Sequence, residues 1–505
     1  MGTRGSKTKV YVSFRKDFAL GDLRRLTAED DPNLSFYYVR EERYVARALS
    51  RNDSASVFLG PRGVGKSAIL QMTRSHAQTF GDEARLIELS PDDLIYNALS
   101  NIDARTPFFE SPSELSWLFT SLWDYVICLE ILRKEPNIGT IESLASKWIG
   151  SGNTYKKQQL LKLTLDDKGN QRSIMQKVIT LVSAIKTSVN VKGTGVTAEA
   201  HFHETNAAST ENLELLNLIN SIAKTISTSI SREYYILIDD LDVHWTGTEL
   251  QRAFLGALFY SIRKLSKPSR GTRKIKFIVS LRTHIFDECY IEERGKFRDF
   301  ISHVSWEECD LKNMIQSRMS TILNTDESEV WTKLFPPGTF DRFLKDTNRL
   351  PREMLGVAIE AIETAQAEGT TSVTESQIDR AIENFSRERR AELVSFHELK
   401  YPGLGTLLSL FSLAEKQFDF HALEDVALTM QIIREERNEI LDWDWATSGT
   451  QQPLNLARIL LEIGFLDLKS DERSAPRIPT KSDIGLISHK NWYAVNRLYQ
   501  PGLKP

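Results

Sequence analysis

Ser56-Val57-Phe58-Leu59-Gly60-Pro61-Arg62-Gly63-Val64-Gly65-Lys66-Ser67 is the stretch from which the rest of the chain is read. The apolar run Val57 to Leu59 predicts a buried strand, and Ala68-Ile69-Leu70-Gln71-Met72 predicts the first turns of a helix. The spacing between them is G-x-x-x-x-G-K-S, a phosphate-binding loop in its strand-to-helix setting. Gly60, Gly63 and Gly65 permit backbone angles that a Cβ forbids. Successive N–H groups can then curl around an anionic phosphate at the positive end of the helix. Gly60, Pro61, Arg62, Gly63, Val64, Gly65, Lys66, Ser67 and Ala68 are therefore candidate ATP-binding residues. In that motif the lysine, here Lys66, reaches the β- and γ-phosphates, and the hydroxyl of Ser67 ligates Mg²⁺.

A second anchor lies far downstream at Tyr234-Tyr235-Ile236-Leu237-Ile238-Asp239-Asp240-Leu241-Asp242. Its continuous apolar run predicts a buried parallel strand. Adjacent carboxylates at the end of such a strand repel one another and cost solvation, and a bound cation offsets both. Asp239 is the candidate Mg²⁺ partner, and Asp240 the acid that orients the attacking water; Asp242 is the next acid along. Further strands are predicted at Arg85–Leu89, Lys274–Leu281 and Phe300–Trp306, with an amphipathic helix at Leu250–Leu265.

With 505 residues the chain has room for two to four domains. A net charge of −4 excludes a generally basic chain, so nucleic-acid binding has to come from a local patch. Nine bases from Lys147 to Lys192 face only Asp166 and Asp167 there, which makes a solvated helix face or a partner surface. Cys128, Cys289 and Cys309 have no metal-ligand spacing and read as buried thiols in a reducing compartment. The polar start and the lack of a bilayer-length apolar run predict a cytoplasmic protein with no membrane partner.

The expected divisions are an N-terminal segment 1–33, an ATPase core 34–306, a helical lid 307–395 and a tail 396–505. The core contains an inserted helical and hairpin subdomain at about 91–231, too long for a loop. In the tail, three helices precede candidate strands at Gly464–Leu468 and Ile484–Ser488, a winged-helix pattern. Acids outnumber bases across it, which disfavours DNA.

This order of parts resembles the AAA+ and STAND branch of P-loop ATPases. It looks closest to bacterial predicted ATPases of the FunZ type, and more distantly like origin-recognition and KAP-type ATPases. The matching segments are Gly60–Ser67, Ile236–Asp242, Phe277–Arg282 and Asn348–Arg352, followed by the winged-helix-like tail. The resemblance implies an α/β fold with a P-loop NTPase parallel sheet, a helical lid, bound ATP and Mg²⁺, ATP hydrolysis and nucleotide-controlled homo-oligomers. It implies a polar residue at the tip of the Phe277 strand near the γ-phosphate, here Arg282 or Thr283. It places a lid arginine at Arg349 or Arg352. It also implies an arginine presented to a neighbouring subunit, here Arg298 or Arg294. Such ATPases often sit in prokaryotic defence systems beside an effector protein. Asp239-Asp240, where origin-recognition proteins usually carry Asp-Glu, and the long insert both depart from a replication role. The expected function is an ATP-driven oligomeric switch; the alternative is an ATP-dependent nucleic-acid binder using the insert or the winged helix.

Overall fold

The computed structural model describes residues 28, 30–38, 42–81, 84–89, 112–134, 232–243, 245–268, 274–412, 415–437, 445, 452–479 and 481–503. The hairpin expected within the insert 91–231 and the basic stretch from Lys147 to Lys192 lie outside these residues. The chain forms two compact units, one of residues 40–305 and one of residues up to 39 together with 306 onward.

Helix α1 (Leu34–Tyr37) belongs to the second unit. The first unit opens with α2 (Glu42–Leu49) and β1 (Val57–Gly60), then α3 (Lys66–Ala77) and β2 (Ala84–Leu89). It continues through α4 (Pro112–Lys134), β3 (Glu233–Ile238), α5 (Glu249–Leu265), β4 (Ile275–Arg282), α6 (Thr283–Glu288) and β5 (Ile301–His303). The five strands make one parallel sheet in the order β2-β3-β4-β1-β5. β4 thus lies between β1 and β3, and β1 lies between β4 and β5. β1, β3 and β4 are nearly continuous runs of buried residues, because helices cover both faces. All strands point the same way, so the chain segments leaving β1, β3 and β4 meet at one edge, where open α/β sheets bind ligands.

Two polar devices hold this unit. Lys276, buried within β4, donates to the carbonyls of Asp53 (2.8 Å) and Ala55 (2.7 Å) and so fixes the approach to β1. Helix α4 lies on α5: Trp123 stacks on Phe254 at 4.7 Å, and its Nε1 donates to the Phe254 carbonyl. Beside it the buried Asp124 accepts from Ser261 Oγ and Lys264 Nζ, both at 2.6 Å. The first helix of the region read as an insert thus shares the core of the sheet. The expected strand Phe300–Trp306 is shorter than its apolar pattern, because Arg294–Phe300 winds as a 3₁₀ segment first.

The second unit continues from α1 with α7 (Glu308–Leu323), α8 (Thr339–Asp346), α9 (Pro351–Ala367), α10 (Glu375–His397) and α11 (Leu404–Leu410). Then come β6 (Gln417–Phe418), α12 (Phe420–Arg437), α13 (Gln452–Glu462), β7 (Leu466–Lys469), α14 (Lys481–Gly485) and β8 (Trp492–Val495). Pro351 starts α9 at its first turn, and Thr374 with Gln377 makes a capping box for α10. Gly356 lets α9 and α10 approach closely: a Cβ there would sit 2.3 Å from the Phe385 ring. One hydrophobic cluster runs from Tyr37 and Leu311 to Leu503, so the lid and tail divided at 395 share a core.

Helix α1 is tied into that core by charge. The Tyr37 hydroxyl donates to Asp31, and Arg318 of α7 pairs with Asp31 at 3.2 Å while lying 4.7 Å above the Tyr37 ring. Residues 34–38, read from the sequence as the start of the ATPase core, thus belong with the second unit. The tail strands form an antiparallel sheet β6-β8-β7, and with α11, α12 and α13 they follow the winged-helix order. The partner of β7 is Trp492–Val495; the expected strand Ile484–Ser488 begins instead as part of α14. Cys128 and Cys289 are buried as expected, whereas Cys309 is exposed. No helix among the described residues is long and apolar enough to cross a membrane.

Candidate functional site

The loop from Gly60 to Lys66 joins a fully buried strand to a twelve-residue helix. Gly63 (φ 86°) and Gly65 (φ 97°) occupy the left-handed region, where an L side chain is strained. A Cβ on Gly60 would meet Val64 Cγ1 at 2.6 Å. Gly65 occupies the N-cap position of α3 without a side-chain cap, and the first turn carries no acidic residue. Neither a capping side chain nor a first-turn acid occupies the positive end of the helix, a condition that suits an anion. Lys66 Nζ donates to the carbonyls of Gly60 (3.0 Å) and Pro61 (2.9 Å), bridging the loop from its own helix. Pro61 and Arg62 are exposed, while Ser67 and Ala68 are half-buried in the first turn of α3.

Parallel register brings two other segments to the same edge. Gly60 is level with Arg282, and Ile238 with Val279. Asp239 and Asp240 leave β3 beside the last residues of β4. Asp239 is half-buried, and Asp240 is exposed with a left-handed backbone at φ 58°. Aspartate enters this region more readily than most residues, at a cost of about 1 kcal/mol or more that functional sites commonly carry. A turn closes behind it, with the Val243 amide donating to the Asp240 carbonyl at 3.2 Å. Asp242 is ion-paired with Arg282. This tip arginine is therefore neutralised by an acid of the β3 turn.

His284 was not singled out from sequence, yet the structure sets it among these groups. Its pKa lies below the ordinary imidazole value, first through desolvation and then through the Arg282 charge. Glu288 and Asp242 oppose the shift, and Lys66 adds to it. The ring is neutral at pH 7. A histidine two residues past a predicted strand tip was the available signal.

Arg294 and Arg298 lie in the 3₁₀ segment before β5. Phe300 accepts from the Ser56 amide, so this segment meets β1 at the edge opposite Gly60. Arg294 donates to the carbonyls of Phe286 (3.3 Å), Asp287 (2.8 Å) and Cys289 (2.9 Å), closing the end of α6. Arg298 is exposed and has no ion pair among the described residues. The lid arginines belong to the second unit. Arg349 has φ 59°, and its Nη1 donates to Glu308 at 2.8 Å. Arg352 is half-buried in the first turn of α9.

The helices α7 to α10 carry a match to a family model. Residues 309–394 match the FunZ-associated C-terminal helical domain. The FunZ-associated domain thus covers the expected lid almost end to end. The chain is also similar to a putative transposon gamma-delta 80.3 kDa protein of Escherichia coli K12, at 22% identity over 477 residues. That alignment covers 89% of this chain and 62% of the relative. Among solved structures, the Aeropyrum pernix ORC1 protein in complex with DNA matches with a TM-score of 0.40 and 12% identity. It covers 97% of this chain and 96% of that one. The ORC2 protein of the same organism, solved as ADPNP–ADP complexes, matches with a TM-score of 0.38 and 12% identity over 98% and 95%.

Proposed function

We propose that the chain binds ATP with Mg²⁺, hydrolyses it, and uses the nucleotide state to switch its assembly with other copies of itself. The single observation that supports this most is the meeting of Lys66, Ser67, Asp239 and Asp240 at the carboxyl edge of one sheet. Ser67, Asp239 and Asp240 offer a hydroxyl and carboxylates, the hard oxygen donors that suit Mg²⁺ and suit soft metals poorly. Mg²⁺ bound there neutralises phosphate oxygens. The backbone N–H groups of Gly63 to Ala68 and the Lys66 ammonium hold the phosphates, and Ser67 with Asp239 holds the cation. Asp240 orients the attacking water and accepts its proton. Arg282, at the strand tip, faces the γ-phosphate once Asp242 releases it, and Arg352 is the lid contact. Arg298 serves a neighbouring copy, in line with its place at the edge away from Lys66.

Lys66→Ala removes the cation that meets the phosphates, and nucleotide binding measured by calorimetry should be lost. Asp240→Asn should keep ATP and hydrolyse it at least roughly tenfold more slowly, the scale of a lost general base. Parent-like affinity in the first variant and parent-like turnover in the second would overturn the site. The FunZ resemblance supports a place as the ATPase component of an anti-phage defence system, beside an effector protein in the cytoplasm. An effector co-purifying only with the ATP-bound protein tests it.

The winged-helix order favours a second reading, ATP-gated nucleic-acid binding. Its α13 carries only Arg458 as a base, and the wing residue Arg477 is paired with Asp483. Phosphate release that rises severalfold on adding duplex DNA would favour this reading over the protein switch.

A further inference from the structure

The loop between α8 and α9, residues 347–350, carries Arg349 and leads into Arg352. Its backbone is not relaxed, since Arg349 adopts φ 59°. Something must hold it. The Thr347 hydroxyl donates to the Phe343 carbonyl at 2.8 Å and accepts from the Arg349 amide at 3.2 Å. The larger hold comes from Glu353, one residue past Arg352 and 9% exposed. One carboxylate oxygen accepts the Asn348 backbone N–H at 2.6 Å, and the other accepts Asn348 Nδ2 at 3.3 Å. Both oxygens are thus committed to one residue of the arginine loop.

The charged and titratable groups around Glu353 come from α10 and from the residues around and past β8. Arg389 of α10 and Arg497, just past β8, act on it as positive charges. Tyr499 feels the Glu353 charge together with those of Glu392 and Asp467. Burial pushes the Glu353 carboxyl up to about 7, against the pull of Asn348, Arg389 and Arg497. A proton on either oxygen turns part of its acceptor capacity into an O–H donor, so one of the two Asn348 bonds is weakened.

We propose that Glu353 is the positioning residue of the arginine loop: its carboxylate clamps Asn348, sets where Arg349 and Arg352 are presented, and links that loop to Arg389 and Arg497. The inference rests on the reading that Arg352 meets ATP. It deepens that reading by adding a proton-sensitive clamp within the second unit. Above the transition the clamp is closed; below it the loop loosens.

Two measurements on the full chain separate the clamp from the ATPase reading. The first is ATP turnover from pH 6 to 8.5. The parent should show a step near pH 7, and Glu353→Gln should lose the step and turn over about fivefold more slowly at pH 8, with KM within twofold. A step of parental size in Glu353→Gln overturns the proposal. The second needs no nucleotide: hydrogen exchange of the Asn348 amide, corrected for its intrinsic rate. Protection should be about tenfold greater at pH 8 than at pH 6 in the parent and level in Glu353→Gln. Parental protection that does not change with pH overturns the clamp, even if the variant fails to fold. If exchange behaves as expected but no ATP is bound at any pH, the ATPase reading fails and the clamp stands.

Discussion

Asp31 is a carboxylate almost wholly out of water, with Arg318 and Tyr37 as its partners. Removing it leaves the Arg318 guanidinium buried without its counter-charge, a change that costs roughly 3–5 kcal/mol. Asp31→Ala should therefore lower the urea midpoint of the second unit sharply while the first unit unfolds as before. Matching midpoints for both units, followed by tryptophan fluorescence, would show that the pair contributes little. Glu353 behaves in the opposite sense. Its folded pKa of about 7 exceeds the ordinary 4.5, so the native state holds a proton that the unfolded chain has released. The associated stability is full below pH 4.5 and is lost as pH rises through 7. A gap of this size corresponds to roughly 3 kcal/mol. Between pH 5 and pH 8 the parent should lose most of that relative to Glu353→Gln, read from denaturation midpoints at the two pH values. The ionised clamp thus works against the stability of its own unit.

Elements differ in how plainly their residues announce them. The strands around Leu59, Ile236 and Ile278 were legible because both faces are buried, which leaves uninterrupted apolar runs. The loop with Lys66 and the acids after Ile238 were legible because glycine freedom and adjacent carboxylates have few structural reasons to occur. The wing was misread. Ile484-Gly485-Leu486-Ile487 has an apolar pattern, but Asp483 pairs with Arg477, and Asn491 folds the chain back by accepting the Ser488 amide at 2.7 Å. Leu486 is left 81% exposed, while Tyr493 of β8 is fully buried. Burial of an edge element depends on tertiary partners that no local pattern contains. Leu486→Asp should hence change stability by less than about 0.5 kcal/mol. Tyr493→Ala should cost roughly 3–5 kcal/mol, as for other large aromatic truncations. Equal effects in thermal melts would reinstate the expected strand. His284, Glu353 and the Asp31–Arg318 pair were illegible for the same reason: each acquires its role from residues distant in sequence.

At the scale of the molecule, the role proposed for Arg298 depends on a second copy. This arginine sits at the sheet edge opposite its own loop, so hydrolysis should rise with protein concentration. Mixing Arg298→Ala with Lys66→Ala should restore part of the turnover, because an intact arginine then meets a neighbour's intact loop. No recovery on mixing, together with a single-chain mass in ATP by light scattering, would leave Arg298 as a surface charge.

The joining of residues 31–38 to helices that follow residue 306 also has a consequence in time. A ribosome adds about 5–20 residues each second, so roughly 290 further residues keep Asp31 waiting on the order of tens of seconds for Arg318. The whole of the unit 40–305 emerges in that interval, and domains generally fold as units in the order of synthesis. A nascent chain from which residue 305 has just left the ribosome therefore has every strand of the sheet outside and, ahead of it, a carboxylate and a phenol still solvated by water.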